Sequence, residues 1–243
     1  TDPFGLFTVN HTSDVTFKDV NINAGNVSGC KGILITNAGK ITLENPSITT
    51  KDALGVDNQS TALVKRPRNE QGSIGEINSN IKYKVGDVSY TEYSEALNVA
   101  IDATQDVTIE LWSDVSGKYN TDELENIKNA NGVVTIDGNS CAMVMNSESK
   151  NAFDIESETV IKDIVLEYSG AQAVIRANKA ADITLSNVDI YASTDDRKNY
   201  LNPGIINLLA KGTYSLEVTD SEIYADMSGG EAQTPYYVAI AAS

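Results

Sequence analysis

The sequence predicts an all-β solenoid, a column of stacked parallel coils, and three observations carry that expectation. A phrase recurs at residues 14–22 (DVTFKDVNI), 40–48 (KITLENPSI) and 182–190 (DITLSNVDI), with a looser copy at 158–166 (ETVIKDIVL). In each copy the apolar residues alternate, break once and resume, as in Ile183, Leu185, then Val188 and Ile190. That is two half-buried strands meeting at a corner. The corner slot holds Asp19, Asn45, Asp163 and Asn187, residue types that tolerate left-handed backbone and bond their own main chain. Four unrelated amphipathic strands would not share that slot. The third observation is spacing. Val107, Val134, Thr159 and Ile183 lie 27, 25 and 24 residues apart, and Val15 and Ile41 lie 26 apart, a repeat length that marks a solenoid. A single coil has too few inward side chains to offset the entropy of ordering its backbone, so the coils must stack.

Taken in order, residues 1–64 read as the C-terminal coils of a first unit, with Gly32-Ile33-Leu34-Ile35 preceding the second phrase. Residues 65–88 read as a connector, because Lys65-Arg66-Pro67-Arg68 and a Gly- and Asn-rich run interrupt the pattern. The alternation of Ile81, Tyr83 and Val85 adds a strand there. Residues 89–243 read as a second unit opened by a capping helix at 89–103. Ser89 with Glu92 fits a capping box, and Tyr93, Ala96, Leu97, Ala100 and Ile101 form one apolar stripe. Such a helix covers strand edges that would otherwise invite aggregation. Residues 121–127 suggest a short helical excursion. Residues 134–139 (VTIDGN) suggest a coil with Gly138 at its corner and Asn139 in an inward slot, which periodicity does not explain.

The pairs Asp14 and Asp182, Gly32-Ile33 and Gly204-Ile205, and Ile48 and Ile223 stand at offsets of 168, 172 and 175, so the two units are a tandem duplication. The first unit starts mid-column and the second stops mid-column. Residues 1–64 are therefore expected to stack on an open β-helix end, within one chain or by self-association between copies.

The phrases quoted above resemble coils of right-handed parallel β-helix proteins of the pectate-lyase-like superfamily. Residues 89–101 (SYTEYSEALNVAI) followed by 107–111 (VTIEL) resemble the opening of adhesin-like bacterial members, in which a capping helix precedes the first coil. The resemblance implies an all-β, right-handed parallel β-helix solenoid with a short N-terminal capping helix in the second unit. It divides on function, since this fold carries lyases, glycosidases, adhesins and phage spikes.

Composition narrows the choice. A net charge of −16 disfavours nucleic acid and anionic membranes as partners, because phosphates require Lys and Arg. No apolar run is long enough to insert in a membrane. The single histidine, His11, leaves no material for a His-based triad or a His-rich metal site. Cys30 and Cys141 read as small core residues, Cys141 in the inward slot equivalent to Ile22. The excursion at residues 193–203 holds the adjacent acids Asp195 and Asp196, with Arg197 and Tyr200, and solenoid binding sites often sit on such insertions. Glycosidases of this fold carry motifs that the chain lacks, Gly-His-Gly and Arg-Ile-Lys, and no stacked acidic ladder for a calcium-dependent lyase emerges. Aromatic residues are sparse and dispersed, so no sugar-stacking platform is evident.

The expectation is a non-catalytic, adhesin-like module of a bacterial cell-surface or secreted protein. It would form a rigid stalk without cofactor or metal, presenting Asp195, Asp196, Arg197 and Tyr200 to a carbohydrate or host surface protein. The alternative is a carbohydrate-active enzyme, a polysaccharide lyase or glycoside hydrolase, or its accessory domain.

Overall fold

In the computed structural model the described residues are 4–52, 54–65, 75–120, 124–129, 131–147, 150–170, 172–177, 179–193, 204–208, 215–226 and 240–242. They form a parallel β-solenoid of about seven turns.

The first coil is β1 (Phe4–Asn10), β2 (Val15–Lys18) and β3 (Asn21–Ala24). The second repeats it as β4 (Cys30–Asn37), β5 (Lys40–Glu44) and β6 (Ser47–Thr50), and β7 (Leu54–Asn58) and β8 (Leu63–Lys65) follow. Each strand pairs in parallel with its counterpart one coil on, Val15 with Ile41 and Ile22 with Ile48. Equivalent apolar residues therefore stack, and Ile33, Val56 and Ile77 are all fully buried in one column. Ile77 belongs to β9 (Glu76–Ser79), which adds a fourth strand to the sheet β1-β4-β7-β9.

The second column opens with an antiparallel hairpin, β10 (Tyr83–Val85) and β11 (Val88–Tyr90). Gly86 takes φ 57° at the first central position of its two-residue turn, where a β-carbon would be strained. Both β9 and β10 lie inside residues 65–88, the stretch expected to connect the units. Helix α1 (Tyr93–Ile101) lies over β10, β11 and β12 (Val107–Leu111). Tyr93, Ala96, Leu97 and Ala100 are buried, and Ile101 is half-buried against the same core. The expected capping box is absent. Ser89 pairs with Lys84 in the hairpin, and Glu92 is the N-cap residue without a side-chain bond. Strand pairing took the serine that the local pattern assigned to the helix.

The remaining strands are β13 (Val115–Asn120), β14 (Val134–Asp137), β15 (Ala142–Ser147), β16 (Phe153–Ile155), β17 (Thr159–Gly170), β18 (Ile175–Ala177), β19 (Ile183–Ser193), β20 (Ile206–Leu208), β21 (Leu216–Thr219), β22 (Glu222–Asp226) and β23 (Ile240–Ala242). Val107, Val134, Thr159 and Ile183 stand in one register, the series that the spacing picks out, and Leu216 extends it. Residues 124–129 hold no helix, and Ile127 instead makes a parallel bridge to Ile155.

The corners behave as the phrase requires. Asp19, Asn45, Asp163, Asn187 and Asp220 all take φ between 49° and 58°. They also form short ladders. Asn45 Nδ2 donates to Asp19 Oδ1 at 2.8 Å, and Asn187 Nδ2 to Asp163 Oδ1 at 2.6 Å. The corner after β14 differs from expectation. Asn139 and Ser140, not Gly138, are left-handed, at φ 48° and 64°. Asn139 is buried because its Nδ2 donates to the Leu111 carbonyl at 2.9 Å, which satisfies a polar group in an inward slot. Gly138 is required by crowding, since a β-carbon there would collide with the Asp163 carbonyl and Ile164. The corner is two residues longer than its neighbour in β17. Met143, not Cys141, therefore stands opposite Leu166 and fills the slot equivalent to Ile22. Cys30 and Cys141 are both buried free thiols.

Two hydrophobic cores result, one around Ile33, Ile41 and Val56 and one running from Tyr83 to Leu208. A polar seam joins them. Buried Asp114 accepts the Ile77 N–H at Oδ2 (2.7 Å) and the Ala142 N–H at Oδ1 (2.8 Å), while its own N–H donates to the Ile77 carbonyl (3.0 Å). Beside it the Ser79 N–H donates to Ser113 Oγ at 3.1 Å. β9 thus bonds β7 on one side and the start of the second column on the other.

Candidate functional site

On a parallel sheet that closes a solenoid, inward residues are spent on the core and only outward residues meet a ligand. Several outward charges here are matched by a neighbour one coil away. Lys18 meets Glu44 at 3.2 Å, Lys162 meets Asp137 at 2.7 Å, and the Arg176 Nε meets Asp154 Oδ1 at 2.7 Å, each pair in direct register. The hydrogen bond to Asp137 holds Lys162 above the usual lysine range against the opposing effect of burial. The hydrogen bond from Lys179, aided by one from Asn126 at 2.6 Å, holds Glu156 below the usual carboxylate range. Near the seam, Trp112 Nε1 donates to Glu110 Oε2 at 2.8 Å with the Lys84 ammonium 4.9 Å above its ring. Apart from the Trp112–Glu110 bond, these contacts are cross-coil struts.

One face shows no such pair among the described residues. Past the corner, β17, β19 and β22 align Glu167, Tyr191 and Tyr224 in a single outward row. Tyr191 is 42% and Tyr224 58% exposed, with ring centroids 6.2 Å apart and planes at 52°. Glu222 lies on the same side of β22, two residues before Tyr224, and faces Asp189 in register, so two acids stand opposite each other. Glu167 and Glu222 are exposed, and neither is engaged in an ion pair among the described residues. The described outward positions of β15, β17, β19 and β22 on this face include no Lys or Arg. The arrangement offers two aromatic faces beside the exposed carboxylates of Glu167 and Glu222. It can stack a planar or apolar group and accept hydrogen bonds.

This pair corrects the reading of the aromatic residues as dispersed. Tyr191 and Tyr224 are 33 residues apart in the chain, but each follows the last inward isoleucine of its phrase, Ile190 and Ile223. The recurring Ile-Tyr was the available signal. Asp195, Asp196, Arg197 and Tyr200 lie outside the described residues. His11 is exposed and its Nδ1 accepts the Ser13 N–H at 3.2 Å. Among the described residues no three His, Cys, Asp or Glu side chains converge as metal ligands, and no helix is long and apolar enough to cross a membrane.

No family model, curated protein or solved structure shows significant similarity to this chain.

Proposed function

We propose that the chain is a non-catalytic, adhesin-like module of a secreted or cell-surface protein, a stiff β-solenoid stalk that binds a partner through its side. The observation that supports this reading most is the Tyr191–Tyr224 pair, two exposed aromatic rings held in register on adjacent coils beside the exposed acids Glu167 and Glu222. Ladder hydrogen bonds fix both strands, so the rings are presented with little ordering cost on contact. The bacterial origin and the extracellular setting belong to the same proposal and rest on the resemblance of the coils to adhesin-like β-helices.

The test uses beads coated with the chain, laid on epithelial monolayers and on immobilised plant and bacterial polysaccharides. Retention on at least one surface is expected, with loss when Tyr191→Ala and Tyr224→Ala are combined, while the thermal melt stays in place. Equal retention by wild type and double variant, or retention on no surface, refutes the binding role. Depolymerisation of any of the polysaccharides by the purified chain refutes the non-catalytic assignment.

A further inference from the structure

Resting on that reading, we infer that the Tyr191–Tyr224 face receives an extended, arginine-bearing segment of a partner protein. Charge is the first argument. Three cross-coil registers of this solenoid pair an acid with a cation, as Asp137 is paired with Lys162. Glu167 instead stands opposite Tyr191 and Glu222 opposite Asp189, and neither glutamate makes an ion pair among the described residues. A guanidinium suits this face, since it stacks on a tyrosine ring and forks onto a carboxylate with the same planar group.

Spacing is the second argument. The ring centroids are 6.2 Å apart, on strands one coil, about 4.8 Å, apart along the axis. Alternate side chains of an extended polypeptide repeat at roughly 6.6–6.8 Å, so residues i and i+2 of one segment reach both rings. Glu167 continues the same row one coil beyond Tyr191, about 4.8 Å further along the axis. Glu222 flanks the row at its Tyr224 end, on the same outward side of β22. A segment running along the axis with arginine at alternate positions therefore meets ring, ring and carboxylate, its long side chains taking up the difference between its own repeat and the coil rise. The chain as a whole, at −16, draws such a segment towards it from a distance.

The experiment follows fluorescence anisotropy of a dye-labelled, end-blocked peptide of three Arg-Ser repeats, at physiological ionic strength, on the full chain. The variants combine Tyr191→Leu with Tyr224→Leu, Tyr191→Phe with Tyr224→Phe, and Glu167→Gln with Glu222→Gln. The leucine pair leaves net charge unchanged, so general attraction to an acidic protein is common to it and to wild type. Binding is expected to weaken about five- to tenfold in the leucine pair, to weaken in the glutamine pair, and to persist in the phenylalanine pair, which keeps the ring faces. Equal affinity of wild type and leucine pair overturns the inference. So does tyrosine-dependent binding of cellohexaose with no tyrosine dependence of the peptide, which assigns the face to sugar and leaves the binding-module reading intact. Loss of all bead retention removes that reading itself, a separate result from either peptide outcome.

Discussion

Replacing Asp114 tests whether the two cores are held as one structure. Its carboxylate is buried and accepts two backbone N–H groups, Ile77 of the first column at 2.7 Å and Ala142 of the second at 2.8 Å. Hydrogen bonds to a charged group contribute roughly 1.5–3 kcal/mol each, and a buried donor left unmatched costs about 1–3 kcal/mol. Asp114→Ala strips the acceptor from both donors, and a loss of about 3–5 kcal/mol is expected. Asp114→Asn keeps one carbonyl oxygen but turns an NH2 towards the other N–H, so a loss of about 2 kcal/mol is expected. The chain supplies its own reporter, because its single tryptophan, Trp112, lies two residues from Asp114 and its N–H donates to the Lys82 carbonyl at 2.9 Å. Urea unfolding followed by Trp112 fluorescence and by far-ultraviolet circular dichroism gives two curves. They should coincide in wild type and separate in Asp114→Ala, fluorescence leading, as the seam opens before the columns melt. A destabilisation of Asp114→Ala below about 1 kcal/mol, or coincident curves in the variant, refutes the account of the seam.

Three further outcomes follow from the corners, the cap and the struts. Asn187→Ala should lose about 2–3 kcal/mol, from left-handed strain and the lost bond to Asp163, whereas Asn187→Gly should lose clearly less because it keeps the φ of 58° without strain; equal melts for the two variants contradict this. Leu97→Ala should cost about 2–5 kcal/mol in chemical denaturation, because Leu97 is buried between α1 and the first coil of the second column. Glu156 has a depressed folded-state pKa, so its contribution is present above the unfolded value of 4.5 and is lost as pH falls through the folded one. The stability gap between wild type and Glu156→Gln should therefore shrink as pH drops below 4.5, and a gap that stays constant from pH 7 to pH 3 contradicts the strut.

What could be read from the sequence follows from where the information is local. The register of Val107, Val134, Thr159 and Ile183 was legible because each begins an alternating phrase, and the corners were legible because left-handed backbone selects Asp and Asn. β9 was not. Glu76-Ile77-Asn78-Ser79 has one apolar residue, and its strand character comes from β7 on one side and Ser113-Asp114 on the other. Asp114 was illegible for the same reason, since nothing local marks a carboxylate that will accept N–H groups from two columns. The capping box failed because Ser89 satisfied a helix rule and a hairpin rule together, and the hairpin had a partner in Lys84. Tyr191 and Tyr224 become a pair only once β19 and β22 are placed in register.

The long corner between Asp137 and Ala142 shows how such a chain can change its outline without changing its interior. Asp137 stands opposite Lys162 and Ala142 opposite Val165, so two additional residues are absorbed between them and pairing resumes at once. An increment of two preserves the in-and-out parity of everything downstream, whereas an increment of one would turn the next strand's apolar set to solvent. Corners are therefore the insertion points of this architecture. Lineages descended from one such column can drift in coil length while keeping every buried residue in its layer, and a peptide grafted between Asp137 and Ala142 would ride on the surface of an unaltered stack.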